Sequence, residues 1–295
     1  MIKRIKYLVN KTKESDFKKL FYFIFVEYMI CNVLRNAHFL ILKGGKREVI
    51  KEIQNSKMLL NLNDKGISRD LYQFGIRERA STEKMKTILK KNQVVVDIGA
   101  NIGYYVLIEA NMGAKVYAIE PVPDNYNSLK KNIELNGYKN IKTYNIAIGN
   151  KIGKQTMYLS EKSNLHSMNA KEGKPIQVDI MTLDKFLSDK EIPDIVRMDV
   201  EGYEYEIIKG MKGTLKKMKS GSWLFIEIHK LESKRAKQVF KMVYESNFVL
   251  KEKIEECKES PLLSYKTYRN KFSKLNFKSK GVAECFFQKV AVKSD

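Results

Sequence analysis

The sequence predicts a doubly wound α/β fold with a mostly parallel sheet of seven strands and an N-terminal extension of helix and short strands. Three observations predict it. From Val94 onward short β-branched runs alternate with segments of helical periodicity, glycines interrupt the strand-to-helix turns, and acids end several of the strands. Because ligands of such folds bind at the carboxyl ends of the strands, those acids are candidate site residues.

The elements follow from the same patterns. E-V-I-K-E-I-Q and K-M-L-L-N-L-N are expected to be short strands, followed by helices over Arg69–Phe74 and Thr82–Lys91, the second capped by Ser81 or Thr82. The core is then predicted to begin with the strand V-V-V-D, a helix over Ile102–Met112, the strand K-V-Y-A-I-E, a helix over Asn125–Asn136 closed by Gly137, and the strand K-T-Y-N-I-A-I. An antiparallel hairpin of T-M-Y-L-S with P-I-Q-V-D-I follows. The strand D-I-V-R-M-D-V, a helix from Tyr205, the strand W-L-F-I-E-I-H and a helix over Ser233–Ser246 come next. The last two strands, F-V-L-K-E-K-I and V-A-E-C-F-F-Q-K-V, have no helix between them and predict an antiparallel hairpin at the sheet edge.

The N-terminal part is expected to be separate in character. Apolar residues recur at helical spacing over Phe23–Ile41, with polar residues opposite, so the segment predicts an amphipathic helix and not a membrane span. Such a helix either covers the protein's own core or lies on a membrane or a partner. We expect an extension over residues 1–63 and the main domain over residues 64–295.

The net charge and the cysteines bear on the partners and the cellular compartment that we expect for the protein. The formal net charge is +21, and basic and aromatic residues interleave most densely over Lys266–Lys280. This favours either general solubility or anionic partners. Cys31, Cys257 and Cys285 are far apart, which fits free thiols in a reducing compartment, and the basic N-terminus lacks the longer apolar core of a signal peptide. The expected location is cytoplasmic, with peripheral contact with an anionic membrane left open.

The turn D-I-G-A-N-I-G-Y-Y after the first core strand indicates the ligand. A dinucleotide fingerprint would place glycine where Asn101 and Tyr104 stand. Glu120 follows at the distance at which an acid usually binds ribose hydroxyls, so the pattern favours a nucleoside with a small zwitterionic tail. S-adenosylmethionine is such a ligand: its carboxylate would meet the amides of the turn, and its ammonium would meet Asp97. The candidate cofactor-binding residues are Asp97, Gly99, Asn101, Gly103 and Glu120, with Asn145 and Ala147 near the adenine.

Several motifs in one order resemble a known family. The chain is similar in order and spacing to the FkbM family of S-adenosylmethionine-dependent methyltransferases at D-I-G-A-N-I-G-Y-Y, A-I-E-P-V-P-D-N, N-I-A-I-G-N-K-I-G, M-T-L-D, R-M-D-V-E-G-Y-E and F-I-E-I-H. The upstream G-I-S-R-D-L-Y-Q-F-G-I-R-E is similar to the segment that precedes this domain in many relatives, so the resemblance covers roughly Asp64 to His229. The resemblance implies a class I methyltransferase fold and methyl transfer to a hydroxyl oxygen of a saccharide, glycolipid or other small metabolite. It does not identify the acceptor.

Methyl transfer to a hydroxyl needs a proton acceptor or a metal ion that lowers the hydroxyl pKa. Asp199, Glu201 and His229 are the candidate catalytic residues, and Asp199 and Glu201 are the candidate ligands of a divalent metal, if one is used. Glu227 and His166, the latter in the S-N-L-H-S-M-N loop, are candidate substrate contacts. Structural alternatives stay open: Glu201 as the cap of the helix that follows, and His229 as a strand-end histidine satisfied by backbone.

Two other function classes compete with this interpretation. The charge and the Lys266–Lys280 segment favour a nucleic-acid methyltransferase or a nucleic-acid-binding module. Against both, the fourth strand ends in D-V-E-G-Y, not in the Pro-Pro-aromatic turn of base-nitrogen methylases, and no RNA-binding module is recognisable. A dinucleotide-dependent oxidoreductase is disfavoured by Asn101 and Tyr104. The expected partner is a small-molecule or glycan acceptor, and not nucleic acid.

Overall fold

The computed structural model describes residues 39–41, 43–64, 66–160, 168, 173–231, 233–255, 266–268 and 282–291. Contacts divide the chain into two compact units, Met1–Arg47 and Glu48–Asp295. All elements named below belong to the second unit.

The described strands and helices alternate through most of this unit. The strands are β1 (Glu48–Ile53), β2 (Ser56–Asn61), β3 (Val94–Ile98), β4 (Lys115–Ile119), β5 (Ile141–Tyr144), β6 (Ala147–Gly149), β7 (Gly153–Leu159), β8 (Lys174–Thr182), β9 (Ile195–Met198), β10 (Trp223–Ile228), β11 (Phe248–Glu255), β12 (Lys266–Tyr268) and β13 (Ala283–Lys289). The helices are α1 (Ile67–Phe74), α2 (Arg79–Ile88), α3 (Tyr104–Asn111), α4 (Pro123–Asn136), α5 (Leu183–Phe186), α6 (Glu204–Lys209), α7 (Lys212–Lys217) and α8 (Lys234–Glu245).

The predicted doubly wound α/β fold is confirmed. The main sheet has the order β12-β11-β13-β10-β9-β3-β4-β5, and the pairs from β10 to β5 are parallel. Seven of its strands are the predicted ones, and β12 adds a short eighth at one edge. The strand order reverses beside β3, whose next neighbour in the chain, β4, lies on one side while β9 lies on the other. In open α/β sheets such a reversal is where ligands bind.

The predicted third strand, K-T-Y-N-I-A-I, is wrong as a single strand. The chain leaves the main sheet after Tyr144, and Ala147 begins β6 in a separate three-stranded sheet of order β6-β8-β7. The break lies at Asn145, whose side-chain amide donates to the carbonyls of Glu120 (2.8 Å) and Pro121 (3.0 Å). Those tertiary hydrogen bonds turn the chain where intrinsic strand propensity would continue it. The predicted β7–β8 hairpin is confirmed as antiparallel.

The predicted C-terminal hairpin forms, but its last strand is not at the edge of the sheet. β13 pairs antiparallel with both β10 and β11, so it lies inside the sheet. Six of its seven residues are buried, including Phe286 and Phe287, which a strand with one free edge would not achieve.

The β1–β2 hairpin packs on α4. The backbone N–H of Leu59 donates to Asn132 Oδ1 at 2.7 Å, and that of Lys57 donates to Asn136 Oδ1 at 2.8 Å. Contacts therefore place the hairpin in the second unit, although the sequence analysis grouped it with the extension over residues 1–63. The division at residues 63 and 64 stays a prediction about domains.

Two sequence-based expectations fall largely outside the described residues. Of the amphipathic segment Phe23–Ile41 only residues 39–41 are described, and of Lys266–Lys280 only the backbone of β12. Within the described part of the chain, no helix combines the length and the apolar character that a membrane crossing requires.

Candidate cofactor and acceptor site

The turn after β3 is a tight backbone cradle. The N–H groups of Gly99 and Ala100 both donate to the carbonyl of Ile119, at 2.9 and 3.0 Å, which ties the turn to the end of β4. Gly99 has φ +86°, and a Cβ there would lie 2.0 Å from the carbonyl oxygen of Asp199. Only glycine fits where the chain has a positive φ and approaches another backbone this closely. The glycine therefore lets the β3 turn pack directly against the backbone at the end of β9.

Glu120 lies at the end of β4 and faces the same turn. Its Oε2 accepts the N–H of Asn101 at 2.8 Å, and its Oε1 accepts the N–H of Val122 at 2.9 Å. The side chain is 4% exposed, and burial raises its pKa to about 7 in spite of these hydrogen bonds. The Asn125 side chain also donates to this carboxylate. With two lone-pair directions on each oxygen, three donors leave one direction for a ligand hydroxyl.

A cleft of about 790 Å³, including space open to solvent, runs along the carboxyl ends of β3, β4 and β9. Six of the residues predicted from sequence line it: Gly99, Asn101, Glu120, Ala147, Asp199 and Glu201. Ile119, Ile148 and Met157 give one part of its wall an apolar surface, which suits a planar base.

Five predicted residues have other positions. Asp97 and Gly103 lie beneath the turn; Gly103 has φ +98°, and a Cβ there would lie 2.7 Å from Leu129 Cδ1 on α4. Asn145 holds the β4 end, as described above. Glu227 and His229 stand behind the cleft wall and contact the acids that line it. The sixth residue, His166, lies outside the described residues, so its role stays a prediction.

A buried ion-pair row connects β3 and β9 beneath the cleft. Asp97 and Arg197 are register partners, and Arg197 Nη1 donates to Asp97 Oδ1 at 3.0 Å while Nη2 donates to Asp199 Oδ2 at 3.2 Å. The guanidinium also stacks 3.9 Å from the centroid of the Tyr105 ring. Burial raises the pKa of Asp97 even beside this arginine, and its Oδ2 has no hydrogen-bond partner among the described residues. Asp97 thus orients Arg197, which in turn fixes Asp199.

Asp199 and Glu227 form a carboxyl pair in different protonation states. Burial and the neighbouring Asp199 charge raise the pKa of Glu227 well above its usual range. Burial acts on Asp199 in the same direction, but Arg197 and the hydrogen bond from Glu227 outweigh it and lower the pKa of Asp199. Within the pair Glu227 is therefore the proton donor and Asp199 the acceptor.

His229 bridges two acids. Its Nε2 lies 3.0 Å from Glu201 Oε2, and its Nδ1 lies 2.8 Å from Glu204 Oε1. Burial disfavours the charged ring, but the hydrogen bonds to Glu201 and Glu204 outweigh it and raise the pKa of His229 to about 11. Both nitrogens then carry protons at neutral pH, so the ring is a donor to these carboxylates. The alternative in which backbone satisfies His229 does not describe this site, because both ring nitrogens contact side chains. Glu201 as the cap of α6 stays a prediction.

The arrangement of the side chains gives no support to the hypothesis of a bound metal ion. Among the residues that the structure describes, no group of three or more His, Cys, Asp or Glu side chains is arranged to hold a metal ion. Asp199 and Glu201 as metal ligands stay a prediction.

Sequence reasoning missed two residues that complete the site. Arg77, just before α2, lines the cleft near Asp199, and its Nε pairs with the carboxylate of Glu78. Glu78 has φ +46° and accepts the hydroxyl of Tyr105 at 3.1 Å. α2 begins at Arg79, before the predicted cap, and Thr82 Oγ1 instead donates to the carbonyl of Arg77 at 2.8 Å. The available signal was an adjacent Arg–Glu pair directly after a glycine-terminated helix, G-I-R-E.

These features fit S-adenosylmethionine. The cleft reaches the backbone of Gly99 and Ala100, Glu120 offers a carboxylate for ribose hydroxyls, and the apolar wall can cover an adenine. Fold and site together define a protein of class I methyltransferase architecture.

The chain belongs to the FkbM methyltransferase family. The family model for the methyltransferase FkbM domain matches residues 97–258, which confirms the predicted family. AglP of Haloferax volcanii, a hexuronic acid methyltransferase, is 26% identical over 144 residues, which are 48% of this chain and 57% of that protein. A tRNA(Phe) (4-demethylwyosine(37)-C(7)) aminocarboxypropyltransferase of Methanocaldococcus jannaschii is 33% identical over 115 residues, 38% of this chain and 43% of that protein. The matches to both curated relatives thus span less than two thirds of their lengths.

A solved FkbM methyltransferase from Methylobacillus flagellatus KT aligns with 74% of this chain and 54% of its own, at 13% identity and a TM-score of 0.43.

Proposed function

We propose that the protein transfers the methyl group of S-adenosylmethionine to a hydroxyl oxygen of a saccharide, a glycolipid or another small metabolite. The observation that carries the proposal is the carboxylate of Asp199, which lines the cleft beside the glycine turn, is held by Arg197 and Glu227, and has a lowered pKa. A fixed carboxylate at this place accepts the proton of an acceptor hydroxyl. Bound S-adenosylmethionine supplies an activated methyl group, so the protein's main tasks are alignment and removal of that proton.

The four polar residues of the cleft end have distinct tasks in this proposal. Asp199 accepts the hydrogen bond of the acceptor hydroxyl and takes its proton as the new carbon–oxygen bond forms. Glu227 donates to Asp199 and keeps its carboxylate directed towards the cleft. Glu201 is the second acceptor in the cleft, and the imidazolium of His229 holds it in place. His229 acts in this scheme as a positioning residue and not as the base, because its pKa of about 11 leaves no free nitrogen lone pair at neutral pH.

The name of one relative supports a saccharide as the acceptor. AglP is a hexuronic acid methyltransferase. We infer that this chain acts on a related class of acceptor, a hydroxylated sugar or sugar derivative.

Asp199→Asn tests the proposed role. We expect S-adenosylmethionine affinity close to that of the wild type and turnover about 10²–10⁴-fold lower, the usual range for a lost acid–base group. Turnover is measured as formation of S-adenosylhomocysteine with a panel of saccharides, and affinity by calorimetry. The matched control is Asp189→Asn, whose side chain is 78% exposed and pairs with Lys190 outside the cleft. Wild-type turnover in Asp199→Asn would exclude the role.

The alternative acceptor is a nucleic acid. It is favoured by the net charge of +21 and by the similarity to a tRNA-modifying enzyme. The same assay with bulk tRNA as acceptor separates the two. Methylation of tRNA that falls steeply with salt, and no methylation of any saccharide, would replace the saccharide proposal.

A further inference from the structure

Arg77 is held rigidly beside the cleft. Its backbone N–H donates to the hydroxyl oxygen of Tyr104 at 3.2 Å, and its carbonyl accepts the hydroxyl of Thr82 at 2.8 Å. Its Nε pairs with Glu78, which is 7% exposed and is itself held by the Tyr105 hydroxyl. The guanidinium therefore has a fixed direction before any ligand arrives, which reduces the entropy lost on binding.

The two terminal nitrogens of the Arg77 guanidinium, Nη1 and Nη2, make no hydrogen bond to the described residues. Only Nε has a hydrogen bond, so among the described residues Nη1 and Nη2 have no partner. The side chain is 17% exposed and lines the cleft, so those N–H groups are accessible to a ligand. Two parallel N–H groups of an arginine match the two oxygens of a carboxylate.

The charges around Arg77 are compatible with one further negative charge. The acids facing it are Glu78, Asp199 and Glu227. Glu78 is the partner of Arg77, and Asp199 is paired with Arg197 at 3.2 Å. Burial and the Asp199 charge raise the pKa of Glu227, which disfavours its negative charge. A phosphate dianion would bring two charges close to Asp199 and Glu201, whereas a carboxylate brings one. A carboxylate is therefore the better match.

We propose that Arg77 binds the carboxylate of the acceptor, so that the acceptor is an acidic saccharide whose methylated hydroxyl lies beside Asp199. The inference rests on the proposed function, because it assigns a substrate class to the same cleft. It makes Arg77 the residue that selects acidic over neutral sugars.

The test uses the full chain saturated with S-adenosylhomocysteine, and ligand-observed NMR with D-glucuronate, D-galacturonate, D-glucose, D-galactose and glucose 6-phosphate as probes. We expect the uronates to bind and the neutral hexoses to bind about tenfold more weakly or not at all, as expected when charge-assisted hydrogen bonds are lost. Arg77→Lys keeps the charge but not the paired donors, and should weaken uronate binding about tenfold. Arg79→Lys, an exposed arginine two residues on, is the matched control and should bind as the wild type does.

The binding measurements alone, without an activity assay, test whether Arg77 selects acidic sugars. Equal binding of uronates and hexoses, no binding of either, stronger binding of glucose 6-phosphate, or uronate binding that Arg77→Lys leaves unchanged would each overturn it. The wild-type preference needs no variant, and chemical denaturation checks that Arg77→Lys is folded. The product separates the two proposals: a base-stable methyl ether supports hydroxyl transfer, whereas a base-labile methyl ester contradicts hydroxyl transfer.

Discussion

Glu120 combines ligand recognition with a proton equilibrium near neutrality. Because it is buried and its pKa is raised to about 7 from 4.5, the folded protein binds a proton here more tightly than the unfolded chain does. The associated stability is fully present below pH 4.5 and is lost as the pH rises through 7, by about 3 kcal/mol in all. In the predicted complex ribose hydroxyls donate to the ionised form, so we expect cofactor binding to oppose this proton.

We therefore expect S-adenosylmethionine affinity to rise between pH 5.5 and 8, with release of a proton on binding at pH 6.5. Calorimetry in buffers of different ionisation enthalpy measures both quantities. In Glu120→Gln the affinity should fall by about 1–3 kcal/mol and lose its pH dependence. Chemical denaturation should show wild-type stability decreasing relative to that variant from pH 4.5 to 8. Glu134→Gln, an exposed change on α4, is the control, and a pH-independent affinity of the wild type would contradict the assignment.

His229 shows why residue identity alone did not assign roles. A histidine at the end of a strand suggests a base with a pKa near 6.5, and the sequence contains no pattern that reveals its two carboxylate neighbours. Glu204 belongs to α6 and Glu201 to the turn before it, and both reach His229 only because β9 and β10 are neighbours. The charge of the His229 ring thus depends on the tertiary structure, which brings both carboxylates to it.

At the scale of elements, the β3 turn makes the sharpest prediction. Gly99→Ala places a methyl group 2.0 Å from the carbonyl oxygen of Asp199, so the turn and the β9 end must separate. We expect loss of S-adenosylmethionine binding and a lower free energy of unfolding, measured by calorimetry and chemical denaturation. Gly137→Ala is the matched control, because φ is also positive (+65°) but no atom lies within 4 Å; it should cost about 1–2 kcal/mol and keep binding. Equal behaviour of the two variants would show that the close approach is unimportant.

The order of the elements along the chain could be predicted from the sequence. Which elements and residues lie beside one another in the fold could be predicted only in part. Alternating periodicity, Gly99 and the acids after β3, β4 and β9 predicted the fold class and the side of the sheet that holds the cleft. The break at Asn145 could not be predicted, since it depends on carbonyls of the Glu120–Pro121 segment. Arg197 was missed as well, although a lone arginine in the buried run I-V-R-M requires a buried acid as partner.

The charge of the whole molecule leads to a prediction about surfaces. A net charge of +21, with its densest segment at Lys266–Lys280, favours attraction to anionic surfaces, as does the predicted amphipathic helix over Phe23–Ile41. We expect co-flotation with vesicles containing phosphatidylserine, loss of it in high salt, and none with neutral vesicles. Neutralising the lysines and arginine of Lys266–Lys280 should remove the binding and leave S-adenosylmethionine affinity unchanged. Binding to neutral vesicles, or none to either kind, would contradict an electrostatic attachment.

The interior position of β13 has a consequence for how the chain reaches this state. β10 can pair with β9 early, but its other edge stays open until residues 283–289 arrive, long after β10 in the sequence. β11 also pairs with residues 283–289, so its edge stays open until the same segment is present. Until residues 283–289 have been synthesised, the main sheet has a gap bordered by Phe225 and Leu250, and its two open strand edges are of the kind that recruit chaperones and seed aggregation. Completion of the sheet is thus a single late insertion, and a premature stop codon even close to residue 283 would leave that gap permanently open.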